Sequence, residues 1–346
     1  MTIIIIGGSG FIGTELTRQL VAAGKKVLIV DKARSAGFPE LWYGADVRSP
    51  AALRAAFSSV SDGIEAVYNL AAEHKDNVRP LSLYDEVNIG GARNVCLVAE
   101  EAGVERIIFT STVAVYGFAP PDTDEEGQLE PFNDYGRTKL AAEGIYREWL
   151  ARGHAEAGSG DQEGRSLTIA RLTVVFGPRN RGNVYNLLRQ MASGRFAMVG
   201  SGRNVKSMAF VENVAAFLRA ALQFGPGEHL YNYIDKPDLS MNDLVAVVRK
   251  RLGREDGSSL RLPYWAGYAG GLALDAVSRV TRREFPISAI RVKKFCATTQ
   301  FTSSRIGETG FAAPVSLREG LERTIDYEFL GGREREGAEA PLFESE

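Results

Sequence analysis

The chain is poor in cysteine: Cys96 and Cys296 are the two present in 346 residues, and they form no CxxC pair. That excludes a disulfide framework and a thiolate zinc site, so a reducing cytoplasm is the expected compartment and no metal is expected. Basic residues are missing from the N-terminus, where Met1 runs straight into Thr2-Ile3-Ile4-Ile5-Ile6 with no cleavage site, so no signal peptide is expected. Long apolar runs are missing too. The longest uncharged one, Leu262 to Leu274, has 13 residues, whereas a spanning helix needs about 20. A formal net charge of -2 excludes a generally basic, nucleic-acid-binding surface. What remains, 45% hydrophobic and 24% charged residues, is an ordinary globular composition with room for two lobes.

Strand and helix signals alternate through the first half. Ile3 to Ile6, Val27 to Val30, Ala66 to Leu70, Ile107 to Thr110 and Thr168 to Arg171 read as buried strands. Helical patterns fall between them, near Phe11 to Ala23, Leu53 to Phe57, Tyr84 to Ala102 and Tyr135 to Ala151. Such alternation predicts right-handed crossovers and a doubly wound α/β domain over residues 1–176, with a parallel sheet covered on both faces. His154 to Gly164 reads as an exposed loop. Beyond Gly177, helices near Asn183 to Ser193, Glu212 to Phe224 and Ser240 to Leu252, with a strand at Leu230 to Ile234, suggest a smaller substrate-binding lobe over 177–330. The charged, glycine-containing segment 331–346, with one apolar pair at Leu342 and Phe343, predicts a mobile tail.

Gly7-Gly8-Ser9-Gly10-Phe11-Ile12-Gly13 follows the first strand and opens a helix, which sets backbone N–H groups and a helix's positive end against a pyrophosphate. The spacing is GxxGxxG, a weak signal alone. Asp31 strengthens it, since an acid ending the second strand can accept from the adenosine ribose 2′-OH. This favours NAD over NADP, although Lys32 and Arg34 stand near enough to offer a phosphate an alternative. Tyr135 and Lys139 lie four apart on a predicted helix and therefore share a face. An ammonium and a nicotinamide cation beside the phenol are expected to lower its pKa from about 10 toward use as a base.

With these motifs in order, the chain resembles the extended short-chain dehydrogenase/reductase superfamily from Thr2 to about Phe329. The resemblance implies that Asp46-Val47 contacts adenine and that Leu70-Ala71-Ala72 lines the cofactor. It implies that Thr110-Ser111-Thr112 is the hydroxyl-bearing strand end, and that Tyr135-Gly136-Arg137-Thr138-Lys139 is the catalytic YxxxK, with Thr112 at the same substrate oxygen. Dehydratases of this superfamily carry an Asp-Glu pair after the threonine, where this chain has Val113 and Ala114, so water elimination lacks its catalysts. A sugar 4-epimerase with bound NAD is the leading expectation, with an NAD(P)-dependent 4-ketoreductase or dehydrogenase as the alternative. Glu73 and His74 are candidates to touch the sugar, and Arg179, Arg181, Asn183 and Lys206 to hold a substrate diphosphate. Sugar-nucleotide epimerases usually carry arginine at the Lys206 position, a departure that leaves a nucleotide-linked substrate open to question.

Segments such as Asn180-Arg181-Gly182-Asn183-Val184-Tyr185 and Tyr231-Asn232-Tyr233-Ile234-Asp235-Lys236-Pro237 are similar to a bacterial subgroup, the N-acetylglucosaminyl-diphospho-undecaprenol 4-epimerases. That resemblance implies a lipid-linked amino sugar destined for surface glycans such as O-antigen, met at the cytoplasmic face of the inner membrane; a UDP-linked sugar is the alternative. Within 262–295, Trp265, Tyr268, Leu272 and Ala276 form a helical stripe, with Tyr264 beside it. Arg279, Arg282, Arg283, Arg291, Lys293 and Lys294 follow, against Asp275 and Glu284. The stripe fits either peripheral contact with an anionic lipid surface or packing on the substrate lobe. A homodimer through the helices near Tyr84 to Ala102 and Tyr135 to Ala151 is expected from family habit.

Overall fold

The computed structural model describes residues 1–75, 78–157, 164–194, 196–254, 260–281, 289–332 and 342–343. Its centre grows from β1 (Thr2–Ile6), a β-branched run buried along its whole length. Ile4 and Ile6 enter one core while Ile3 and Ile5 enter the other, the two-residue alternation of a strand covered on both faces. Helix α1 (Phe11–Ala22) leads to β2 (Lys26–Asp31) and the short β3 (Trp42–Gly44). Helix α2 (Pro50–Ser58) starts where the Ser49 hydroxyl accepts from Ala52 N–H and Pro50 presets the first turn. Then come β4 (Ile64–Asn69), a single turn α3 (Ser82–Tyr84), α4 (Gly91–Glu101), β5 (Arg106–Thr112), α5 (Asp134–Ala157) and β6 (Ser166–Leu172).

The second half contributes β7 (Val174–Phe176), α6 (Asn183–Ala192), β8 (Ala197–Val199), β9 (Val205–Lys206), β10 (Met208–Phe210), α7 (Val211–Ala220) and β11 (Gly227–Tyr233). It ends with β12 (Leu239–Ser240), α8 (Met241–Arg251), β13 (Leu260–Leu262), α9 (Tyr264–Thr281), α10 (Ala289–Cys296) and α11 (Leu317–Phe329). The main sheet has seven strands in the order β11-β6-β5-β4-β1-β2-β3, all parallel. Helices α2, α4 and α5 cover one face, with Tyr146 and Trp149 fully buried, and α1 and α7 cover the other. Each large apolar side chain so buried contributes about 1.5–3 kcal/mol. Because β1 sits between β2 and β4, the chain winds outward in both directions from that pair. A crevice therefore opens at the carboxyl ends of β1 and β4, where ligands bind in such sheets.

Three expectations change. Leu230 to Ile234, expected in the smaller lobe, lies largely in β11, which pairs in parallel with β6, and α7 packs on α1, so the doubly wound unit recruits its seventh strand from beyond residue 177. The pattern of a short half-buried strand carries no mark of its distant partner. His154 to Ala157, expected in a loop, belong to α5, and residues 158–163 lie outside the described residues. The tail is not free throughout: Phe343 bridges to Asn180, although 333–341 and 344–346 lie outside the described residues. The smaller lobe has its own core, with Phe176, Leu188, Phe210, Leu244, Val248, Leu321 and Ile325 at its centre. Helix α8 is fixed at its start by a capping box between Ser240 and Asp243.

Candidate active site

A cavity of about 820 Å³ occupies the crevice, within the range of about 300–1,000 Å³ typical of small-molecule and cofactor sites. One end is lined by Gly7, Gly10, Phe11, Ile12, Gly13, Asp31, Asp46 and Val47. Gly7 has φ +78°, and a Cβ there would meet Ala71 N at 2.5 Å, so only glycine lets β1 turn beside the end of β4. No side chain caps α1, which leaves the first N–H groups of the helix for a ligand. Asp31 accepts from Ser9 N–H at 3.1 Å and from Ala33 N–H at 2.9 Å, which ties the acid to the glycine loop. Each carboxylate oxygen keeps a lone pair for a ribose hydroxyl. Ser9 itself turns away, its hydroxyl donating to Ala33 O at 2.8 Å. Uncapped helix, glycine turn and ribose-side acid together fit a dinucleotide.

Leu70, Ala71 and Ala72 form the middle of the cavity wall, Ala71 held by its N–H donating to Asn69 Oδ1 at 3.1 Å. Thr112, Tyr135 and Lys139 line the far wall together. Gly136 makes this possible, since a Cβ there would meet Ala114 O at 2.6 Å and push α5 away from the turn after β5. Ser111 reaches the cavity, yet its hydroxyl donates to Glu143 Oε1 at 2.6 Å and so serves the wall rather than a ligand. Val113 and Ala114 line the cavity next to Tyr135, so no carboxylate stands where a dehydratase would need one.

The expected lowering of the tyrosine pKa does not hold for the chain alone. Burial pushes Tyr135 up to about 12, against a Thr112 hydrogen bond that favours the phenolate. Burial also pushes Lys139, 1% exposed, down to about 7, against the Glu143 carboxylate one turn along α5. Lys139 Nζ sits 4.1 Å from the centre of the Phe109 ring. Glu143 is in turn clamped by Arg171, with Nη2 at 2.7 Å and Nε at 2.9 Å, both side chains being buried.

The weaker substrate candidates separate. His74 and Asn183 line the cavity, the latter at the start of α6. Glu73 faces elsewhere and is held by its backbone to the Asn88 side chain at 2.8 and 3.0 Å. Arg179 and Arg181 do not line the cavity. Arg181 pairs with Glu328 at 2.6 Å and lies 4.0 Å over the Tyr185 ring, while Arg179 N–H donates to Glu328 at 2.7 Å. Lys206 also lies off the cavity, on β9, where burial lowers its pKa to about 8.

A match to the NAD dependent epimerase/dehydratase family spans residues 3–233. This chain belongs to that family. Its members use NAD, and the residues at the glycine-loop end of the cavity fit that group. The chain is 46% identical over 329 residues, 95% of each chain, to the N-acetyl-alpha-D-glucosaminyl-diphospho-ditrans,octacis-undecaprenol 4-epimerase of Escherichia coli O157:H7. It is 27% identical to the human decarboxylating sterol-4-alpha-carboxylate 3-dehydrogenase, over 93% of this chain and 86% of that one. In fold it is similar to the UDP-glucose 4-epimerase of Thermotoga maritima, with a TM-score of 0.71 and 24% identity over 94% of this chain and 98% of that one. The Bordetella bronchiseptica enzyme WbmG, solved with NAD and UDP, gives 0.70 at 19% identity over 99% and 97%.

Sequence reasoning missed four contributors in this family member. Asn88 sits in a π-helical turn, Asp85–Gly90, and links the Glu73 backbone to Thr138 Oγ1 at 2.9 Å, bracing the helix of Tyr135. The Tyr84 to Ala102 pattern read as one regular helix, so nothing marked the wide turn. Glu143 was legible as one further step of four from Lys139. Leu342 and Phe343 line the cavity from some 200 residues beyond Tyr135 in sequence, and no local pattern announces that.

Proposed function

We propose that the chain interconverts N-acetylglucosamine and N-acetylgalactosamine linked through diphosphate to undecaprenol, by oxidation and re-reduction at C4. The observation that carries this is the far wall: a tyrosine, a threonine and a lysine able to move one proton, beside apolar Val113 and Ala114 that supply no second acid or base. The 46% identity over nearly the whole chain supports the lipid-linked substrate.

When bound, NAD supplies a hydride acceptor at C4 and a positive charge near the phenol. Tyr135 takes the C4 hydroxyl proton as the C4 hydride leaves, so the alcohol loses two electrons and becomes a 4-keto sugar. Thr112, hydrogen-bonded to Tyr135, holds that oxygen in place. With the cofactor bound, hydride return to the other face of the ketone would be matched by Tyr135 giving the proton back to the oxygen. Lys139 and the Glu143–Arg171 pair fix α5 beneath the phenol, and the start of α6, which no side chain caps and whose Gly182 and Asn183 line the cavity, is the proposed seat of the substrate diphosphate.

The test is incubation of purified chain, without added cofactor, with GlcNAc-diphospho-undecaprenol and separately with UDP-GlcNAc, followed by acid hydrolysis and separation of the amino sugars. Galactosamine from the lipid-linked sugar is the expected result. Turnover of only the nucleotide sugar would replace this reading with a UDP-sugar 4-epimerase, and stoichiometric NADH release would replace it with a dehydrogenase.

The proposal extends to peripheral contact with the cytoplasmic face of an anionic membrane. Of the predicted stripe, Trp265 is 73% and Leu272 50% exposed, Tyr268 is half-buried against Tyr264, and the Ala276 side chain lies outside the described residues. Leu260, Tyr264, Val277 and Ile290 add exposed apolar area. Among the described residues no helix is long and apolar enough to cross a bilayer. An aromatic surface followed by basic residues suits the lipid interface, each base near it adding about 1 kcal/mol. We also propose a homodimer through α4 and α5, where Leu97 is exposed; a monomeric mass by light scattering at micromolar concentration would remove it.

A further inference from the structure

We infer that the C-terminal pair Leu342-Phe343 is part of the cofactor site and holds the dinucleotide in place through the catalytic cycle. Phe343 N–H donates to Arg179 O at 2.9 Å, and Phe343 O accepts from Arg181 N–H at 2.7 Å. The residue thus adds one rung of sheet to the loop between β7 and α6. Its ring lies 5.7 Å from that of Phe11, tilted by 49°. Phe11 is the first residue of α1 and part of the glycine loop. Leu342 and Phe343 both face the cavity.

The loop that receives Phe343 is itself fixed. Glu328 on α11, its side chain 1% exposed, takes both Arg179 N–H and the Arg181 guanidinium. Arg179 sits at φ +71°, a conformation that costs a non-glycine residue energy and that these contacts hold. The two arginines read from sequence as diphosphate ligands therefore form the seat of the C-terminal pair. Three elements distant in sequence meet over the start of α1: the glycine loop, the seated loop and the chain end.

Retention has a chemical purpose, and this purpose rests on the epimerase reading. An epimerase that let its reduced cofactor go after the first half-reaction would strand a 4-keto sugar with no hydride to return. A dehydrogenase needs the opposite. A clamp anchored by main-chain hydrogen bonds adds contacts that must break before the dinucleotide leaves, which slows dissociation.

The test uses the full-length chain loaded with NADH, chased with excess NAD, while the fluorescence of bound NADH is followed; no sugar is present, so it succeeds or fails independently of the substrate assay. Phe343→Ala is expected to release NADH about tenfold faster, the size of one lost aromatic contact with its buried area. Phe343→Tyr should restore slow release, and a chain ending at Pro341 should release faster than the alanine variant. Should the alanine variant fail to fold, the shortened chain carries the test. Release from Phe343→Ala and from the shortened chain at the unaltered rate would overturn the inference.

Discussion

The wall around Tyr135 and the surface of α9 use similar residues to opposite ends. At the wall, aromatic and charged side chains are buried and each is held: Glu143 by Arg171, Tyr116 OH by Asn232 at 2.7 Å, and Lys139 over the Phe109 ring. On α9, Trp265 and Leu272 face outward, while the helix packs closely elsewhere: a Cβ on Gly267 would meet Val199 Cγ1 at 2.5 Å. The first region is held for geometry, whereas the second leaves apolar surface exposed, which the proposed membrane contact would cover. Substitutions in the first should alter chemistry or stability, and those in the second should leave both alone.

The largest expected effect is on turnover. Tyr135→Phe removes the group that moves the proton and should lower kcat by about 10²–10⁴-fold, the usual worth of general acid–base catalysis, with NADH release unchanged. A rate within tenfold of the unaltered enzyme would show that another group does the work. Next comes the buried pair. Glu143→Leu strands Arg171 in the interior and should cost about 3–5 kcal/mol in urea unfolding, as breaking buried ion pairs does. A loss under 1 kcal/mol would mean that the wall is less rigid than its contacts imply.

A smaller effect depends on pH. The folded pKa of Lys139, about 7, lies below the value of about 10.4 expected when unfolded. Between those values the unfolded chain binds more protons, so stability rises with pH across the window, and the penalty for burying Lys139 is complete below it. Lys139→Met, in protein stripped of cofactor, should therefore raise the melting temperature more at pH 6 than at pH 10. Equal shifts at both would place the lysine in a wetter site. The smallest effect on the enzyme itself is at α9: Trp265→Ser should change stability by less than about 0.5 kcal/mol. The same substitution should weaken flotation with anionic vesicles, as should added salt. Marked destabilisation would instead make the stripe part of the fold.

Much of the wall was legible because its signals are local. A β-branched run, a glycine turn, an acid at the next strand end and a tyrosine four residues before a lysine each fall within one element, and the periods of strand and helix place them. What was not legible depended on distant pairing. Nothing in Gly227–Tyr233 says that it joins β6, and Arg179 and Arg181 look like anion ligands until Glu328 is seen to hold them. Phe343 is the extreme case, an apolar residue in a polar chain end whose partner loop is fixed by yet another element. The α9 stripe was visible as a period but not as a face, because helical spacing is the same whether the covered side meets core or lipid.

In the proposed epimerase reaction one hydride leaves C4 and returns to it while Tyr135 carries the proton. Lipid-linked N-acetylglucosamine carrying deuterium at C4, turned over without added cofactor, tests this directly by mass spectrometry of the released galactosamine. Full retention of deuterium at C4 is expected. Loss of the label to solvent would contradict it.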